Sequence, residues 1–172
     1  MRAERDCSLS ELSRRSGVGK GTISELENGR RGARLDTLFA LTTALGAPLG
    51  DLMPDGPASA GAQVEGDAVT ATLLASWPVE GYLVEMYRAA VAERRQESAA
   101  HAPGVLETVT VVRGRVLAGC AGAERELGEG ESLRYRGDLP HLFAALGAPA
   151  DVVLLMHYPS QESTEGTITD DR

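Results

Sequence analysis

Lys20, Gly21, Thr22 and Glu25 fall on one side of the stretch "KGTISELE", and the apolar Ile23 and Leu26 mark the other side. If the stretch is helical, the four project together. A lysine there donates to guanine, a threonine touches a thymine methyl or a phosphate, and a glutamate accepts from cytosine, all within the major-groove code. Asn28, Arg30, Arg31 and Arg34 follow in a window, residues 28–34, that holds no acid. Cations so placed suit phosphates, which position a protein on DNA without reading sequence. Ser8, ahead of the preceding segment, joins this DNA-facing set. A small helical bundle with solvated charges would show the same residues, so the pattern alone does not decide.

A different chemistry lies downstream. In "VLETVTVV", strand alternation puts Val105, Glu107, Val109 and Val111 on one face. A carboxylate in a row of valines is costly to bury unless a cation, a metal or a hydrogen-bond donor meets it. His141, just before Phe143, or an arginine would serve as partner. His157, in the apolar run "VVLLMHY", reads as a core or pocket-wall histidine, and Trp77 and Tyr82 read as packing residues. Cys7 and Cys120 form no CxxC pair and read as small apolar fillers.

The elements that must carry these residues differ in period. Ser8 stands three residues before Glu11, a capping-box spacing, and opens a helix over 9–16. "GVG" breaks it, with Val18 plugging the gap, and a second helix over 20–27 is closed by Gly29. Leu35, Leu38, Phe39, Leu41, Thr42 and Leu45 recur at helical spacing and predict a helix over 35–45 stopped by Gly46. "PLGDLM" predicts a short last helix, with Pro48 in its first turn. Residues 54–67, small and rich in Gly, Pro and Ala, read as a linker that lets the helical unit adjust. Short β-branched or alternating runs separated by glycine turns then predict an all-β sandwich or barrel over 68–159. The polar tail 160–172 is expected to be disordered.

Charge supports two domains. The 172 residues carry a net charge of −8, but residues 1–53 hold 8 basic and 7 acidic side chains, so the acid sits in the second part. DNA responds to a local basic patch rather than to the total. The apolar runs are strand-sized, "MRAERD" carries no secretory signal, and the cysteines form no disulfide framework. A cytoplasmic protein with no membrane contact is expected.

Across residues 2–53, "LSELSRRSGVGKGTISELENGRR…LDTLFALTTALGAPLGDLM" resembles the XRE (phage-repressor-like) helix-turn-helix family. The resemblance implies a DNA-binding domain over 1–53. In that family the first helix begins earlier, so it is shortened here to "MRAER" or the true start lies upstream. The residue capping the recognition helix is commonly Ser or Thr, and Gly19 takes its place here, a slightly weaker cap. The family also pairs an arginine of the first helix with a glutamate of the recognition helix. Those positions fall on Arg2 and Glu27, expected as a buried ion pair.

The second part resembles the small cupin barrels, through His101, Glu107, Gly114, Gly130, Pro140 and His141. Pro103 stands where a further motif histidine would be. The resemblance implies that His101, Glu107 and His141 converge in one cavity, as an effector pocket or a metal site. Two histidines and a carboxylate form a facial set used for iron. The missing histidine favours a site without metal, in which burial raises the Glu107 pKa against any charged histidine beside it. No cofactor is certain, and a divalent metal stays open.

An XRE helix-turn-helix followed by a cupin barrel recurs among bacterial regulators. The resemblance implies a dimeric, sequence-specific transcriptional regulator of double-stranded DNA with a small-molecule effector, and no enzyme activity. The alternatives are a metal-dependent cupin enzyme tethered to DNA and a cupin used only for dimerisation.

Overall fold

The computed structural model describes residues 2, 5–30, 32–53 and 63–160. Arg31, residues 54–62 of the expected linker and residues 161–172 of the expected tail lie outside the described residues.

Among the described residues the amino-terminal part holds three α-helices, α1 (Leu9–Ser16), α2 (Lys20–Glu27) and α3 (Leu35–Leu45), followed by a 3-10 turn at Leu49–Leu52. The Glu11 N–H donates to the Ser8 hydroxyl at 3.1 Å, which is the predicted cap of α1. Gly17 and Gly46, both in the left-handed region with φ 72° and 61°, end α1 and α3. Cys7, Leu12, Ile23, Leu41 and Ala44 form the helical core, and Val18 packs against it as expected.

Helix α3 is apolar on two faces. Leu41 and Ala44 face the helices, while Leu35 and Leu38 join Leu49 and Met53 in the core of the β-domain. Apolar burial contributes about 25 cal/mol per Å² wherever it occurs. A helix with two such faces therefore joins what lies on both sides.

Among the described residues the β-domain has ten strands: β1 (Gln63–Glu65), β2 (Val69–Val79), β3 (Tyr82–Val91), β4 (Gln96–Ser98), β5 (Leu106–Arg113), β6 (Val116–Cys120), β7 (Arg125–Leu127), β8 (Ser132–Arg136), β9 (His141–Ala145) and β10 (Ala150–Pro159). They form a sheet ordered β1-β2-β3-β10-β5-β8 and a smaller one ordered β4-β9-β6-β7, with every pair antiparallel. This is the two-sheet barrel expected of a cupin. Alternation sets Glu107, Val109 and Val111 of β5 inward with Val152, Leu154 and Met156 of β10.

The linker reading needs correcting at its end. Residues 63–65 form β1, paired with β2, and the helical unit is docked on the barrel. Gln96 Nε2 donates to Asp36 Oδ1 at 2.8 Å, and Gln96 Oε1 accepts from the Ala68 N–H at 2.9 Å. Arg34 pairs with Asp67. The Leu49 N–H donates to the Tyr158 hydroxyl at 3.2 Å. These ties surround a shared apolar core, so the helical unit is held rather than left to adjust.

Candidate functional site

On α2, Ile23 is 1% exposed and anchors the helix, while Lys20, Gly21 and Glu25 stand exposed on its outer side and Thr22 is half-buried. Asn28 and Arg30 are exposed beyond the helix end. Asn28 Nδ2 donates to the Ser24 carbonyl at 2.7 Å, so its amide also closes α2. Ser8 is exposed but its hydroxyl is engaged in the α1 cap. Arg34 is exposed and paired with Asp67, an arrangement sequence reasoning did not foresee.

Arg2 Nε donates to Glu27 Oε1 at 2.7 Å, and Arg2 Nη1 donates to the Cys7 carbonyl at 2.8 Å. The pair forms as expected, but its side chains are 26% and 40% exposed, not buried. The reason is that α2 ends at the surface, so solvent screens the contact.

Inside the barrel, His101, Glu107 and His141 come together, each offering one ligand atom, with those atoms all within 4.8 Å of one another. Glu107 arrives from β5, His141 begins β9, and His101 lies in the loop before β5, tied by its N–H to the Gly137 carbonyl at 2.9 Å. Glu107 Oε1 lies 2.8 Å from His101 Nε2 and 3.3 Å from His141 Nε2. Glu107 Oε2 accepts from the Tyr135 hydroxyl at 2.6 Å. His141 Nδ1 lies 2.8 Å from the Leu139 carbonyl, which places a proton on Nδ1 and turns Nε2 into the cavity. Tyr135 was not among the residues singled out from the sequence, although "SLRYR" places it opposite Glu107 once β8 pairs with β5.

The expected rise in the Glu107 pKa is overturned. Burial pushes it up, but the His101 contact, the charges of His141 and His101, and the Tyr135 hydroxyl together pull it down to about 2. The sequence reading set desolvation against any charged histidine and let desolvation win, and in the structure two imidazoles and the Tyr135 hydroxyl outweigh it.

His101 Nε2 and Glu107 Oε1 are both fully buried, in close contact, and without a hydrogen-bond partner of acceptable geometry. Two orphaned donor atoms aimed at one point fit a divalent cation, for which imidazole nitrogen and carboxylate oxygen are suitable ligands. His157 is not part of this group. Its ring is half-buried on the outer face of the large sheet, edge-on to Tyr82 at 6.3 Å, so the core or pocket-wall reading is corrected. The parity of β10 decides this, because Met156 and Tyr158 take the inward positions.

A second buried carboxylate escaped sequence reasoning. Glu85 of β3 accepts from the Gly50 N–H at 3.0 Å and from the Tyr87 hydroxyl at 2.6 Å. A Cβ at Gly50 would lie 2.4 Å from Glu85 Oε1, so this approach requires glycine. The signal was present: in "YLVEMYRAAV" the parity that buries Tyr87, Ala89 and Val91 buries Glu85 as well.

Residues 1–52 match the family model described as HTH_3, helix-turn-helix. The chain is 28% identical over 167 residues to the HTH-type transcriptional regulator SutR of Escherichia coli (strain K12), covering 92% of this chain and 91% of that one. Its fold overlays the crystal structure of an HTH_3 family transcriptional regulator from Vibrio cholerae with a TM-score of 0.80 at 24% identity, over 92% of this chain and 91% of that one. A weaker overlay, TM-score 0.49 at 27% identity, pairs 55% of this chain with all of the Cupin_2 domain of an XRE family transcriptional regulator from Enterobacter cloacae. Among the described residues no helix is long and apolar enough to cross a membrane. Residues 1–52 thus match a helix-turn-helix family model, and the whole chain is similar to helix-turn-helix transcriptional regulators, with its three-helix unit seated on a two-sheet β-barrel.

Proposed function

We propose that this transcriptional regulator binds DNA sequence-specifically as a homodimer and takes a small-molecule effector in the barrel. The carrying observation is the outer side of α2, where Lys20, Gly21 and Glu25 stand exposed over the buried Ile23. Lys20, Thr22 and Glu25 read base edges, while Arg30 and Arg31 with Asn28 and Ser8 hold phosphates, and Arg34 stays with Asp67 at the seam to the barrel. Trp77 and Val79, 38% and 50% exposed at the end of β2, support a barrel-to-barrel contact. Two recognition helices then read half-sites about 34 Å apart, or a multiple of that. His101, Glu107 and His141 would hold a divalent metal, which when bound would accept an oxygen of the effector. Glu107 supplies the negative charge, Tyr135 orients it, and the Leu139 carbonyl fixes the His141 tautomer.

Selection of bound fragments from genomic DNA, followed by titration of variants, tests this reading. Arg30→Ala is expected to weaken all sequences alike and to lower the salt slope by about one unit. Glu25→Gln is expected to change the preferred base at a cost of about 1–3 kcal/mol. A change of base preference in Arg30→Ala with an unaltered salt slope would refute the assignment.

The orphaned His101 Nε2 and Glu107 Oε1 also favour a second reading, a metal-dependent cupin enzyme tethered to DNA. Stoichiometric metal in protein purified without chelator, together with turnover, would establish it.

A further inference from the structure

The pocket beside His101, Glu107 and His141 has a volume of about 30 Å³. That admits a water molecule or a metal ion and excludes an organic ligand. Its walls explain the size. Besides barrel residues such as Tyr87 and Met156, it is closed by Leu35, Phe39 and Leu49 of the helical unit. The Phe39 ring lies against the His101 imidazole, with centroids 4.2 Å apart and planes tilted by 32°. Phe39 and His101 also line a second, outer cleft of about 470 Å³, which has Arg15, Asp36 and Thr43 on its helical side and Ala99 and Ala100 on its barrel side. The stacked rings of Phe39 and His101 thus border both spaces.

We propose that Phe39 is the door of the effector site: a small organic molecule occupies the outer cleft, against one side of His101, and reaches the buried Nε2 of His101, Glu107 and His141 only when the Phe39 ring leaves His101. This rests on reading the barrel as a ligand site, and it adds that the DNA-reading unit forms one wall of that site. The ligand class follows from the two compartments. The molecule is too large for the inner pocket alone and carries an oxygen donor for the histidine–carboxylate group. The route to DNA follows from the packing. Phe39 belongs to α3, and α3 shares the core of Leu12, Ile23, Leu41 and Ala44 with α1 and α2. A ligand that displaces α3 displaces the recognition helix with it, and by reciprocity DNA that holds α3 in place opposes the ligand.

Diethyl pyrocarbonate, which modifies imidazoles and is too bulky for the closed inner pocket, probes the door in metal-stripped full-length protein. Mass spectrometry reads each histidine separately, with half-buried His157 on the outer sheet face as the internal reference. Phe39→Ala is expected to raise the His101 rate at least about tenfold, because protection then no longer depends on local opening. Equal His101 rates in the wild type and Phe39→Ala overturn the proposal. Ala99→Trp, made at an exposed position outside both cores, is expected to fill the outer cleft and slow His101 about threefold or more, since it blocks the opening route. An unchanged rate there overturns the route just as surely. Calorimetric titration with Co²⁺ alone, small enough for the closed pocket, tests the underlying ligand-site reading separately. Absent cobalt binding refutes that reading and leaves the labelling contrast standing.

Discussion

Glu107 and Glu85 are buried in the same barrel, at 1% and 0% exposure, yet they are held in opposite ways. Burial pushes both pKa values up. For Glu107 two imidazoles and a hydroxyl reverse the effect, down to about 2. Glu85 meets only neutral donors, the Tyr87 hydroxyl, the Gly50 N–H and the Tyr158 hydroxyl, with Asp51 adding repulsion, and its pKa stays raised. The partners, not the burial, decide what a buried carboxylate does. A carboxylate facing imidazoles keeps its charge and makes a site, whereas one facing amide and phenol protons acts as a fastener between the helical unit and the barrel.

The largest effect that would break the comparison comes from Glu107→Ala. It removes the acceptor of the Tyr135 hydroxyl and the negative charge that faces His101 and His141, and losing one partner of a buried pair costs about 3–5 kcal/mol. Thermal unfolding of the full chain should show it as a drop of about 2–4 °C per kcal/mol. A drop smaller than that of Glu85→Ala would reverse the ranking. Glu85→Ala is expected to cost about 1–3 kcal/mol, from the Gly50 N–H and the Tyr87 hydroxyl left unsatisfied, as read from the urea midpoint.

Glu85→Gln sharpens the contrast through pH. The folded-state pKa of Glu85 lies above its ordinary value of 4.5, so its favourable contribution is complete below that value and is lost as pH rises through the folded pKa. Asp36 and Asp51 shift in the same direction, mainly through burial, so the informative quantity is wild type minus Glu85→Gln. That difference is expected to fall with rising pH, and a flat difference would mean that the Glu85 pKa is the same in the folded and unfolded chain. The smallest effect belongs to Arg2→Ala, whose exposed pair with Glu27 is screened by solvent and should weaken further in salt.

Local features were legible in the sequence and mutual ones were not. Helices α1, α2 and α3 run over the expected residues because capping chemistry, glycine stops and i, i+3 spacing are local signals. Strand parity alone placed Glu107 inward, and the cupin resemblance brought in His101 and His141. The same parity argument, applied to "YLVEMYRAAV", finds Glu85, but its partner is the backbone of Gly50, which no side-chain pattern advertises. Docking stayed hidden for a similar reason. Leu35, Leu38 and Phe39 read as one helix face, and only the fold shows that α3 buries two faces against different neighbours.

The two-faced α3 has a consequence for a chain cut in two. Proteolysis between residues 54 and 62 severs no contact among the described residues, yet each fragment would carry half of one core: Leu35, Leu38, Leu49 and Met53 on the first, Val69, Ala71 and Tyr87 on the second. Separated, each presents a sticky apolar wound, and mixed, the two should reassociate and melt together. The nicked protein would then behave as a split reporter, with helices and barrel recovering their fold by complementation.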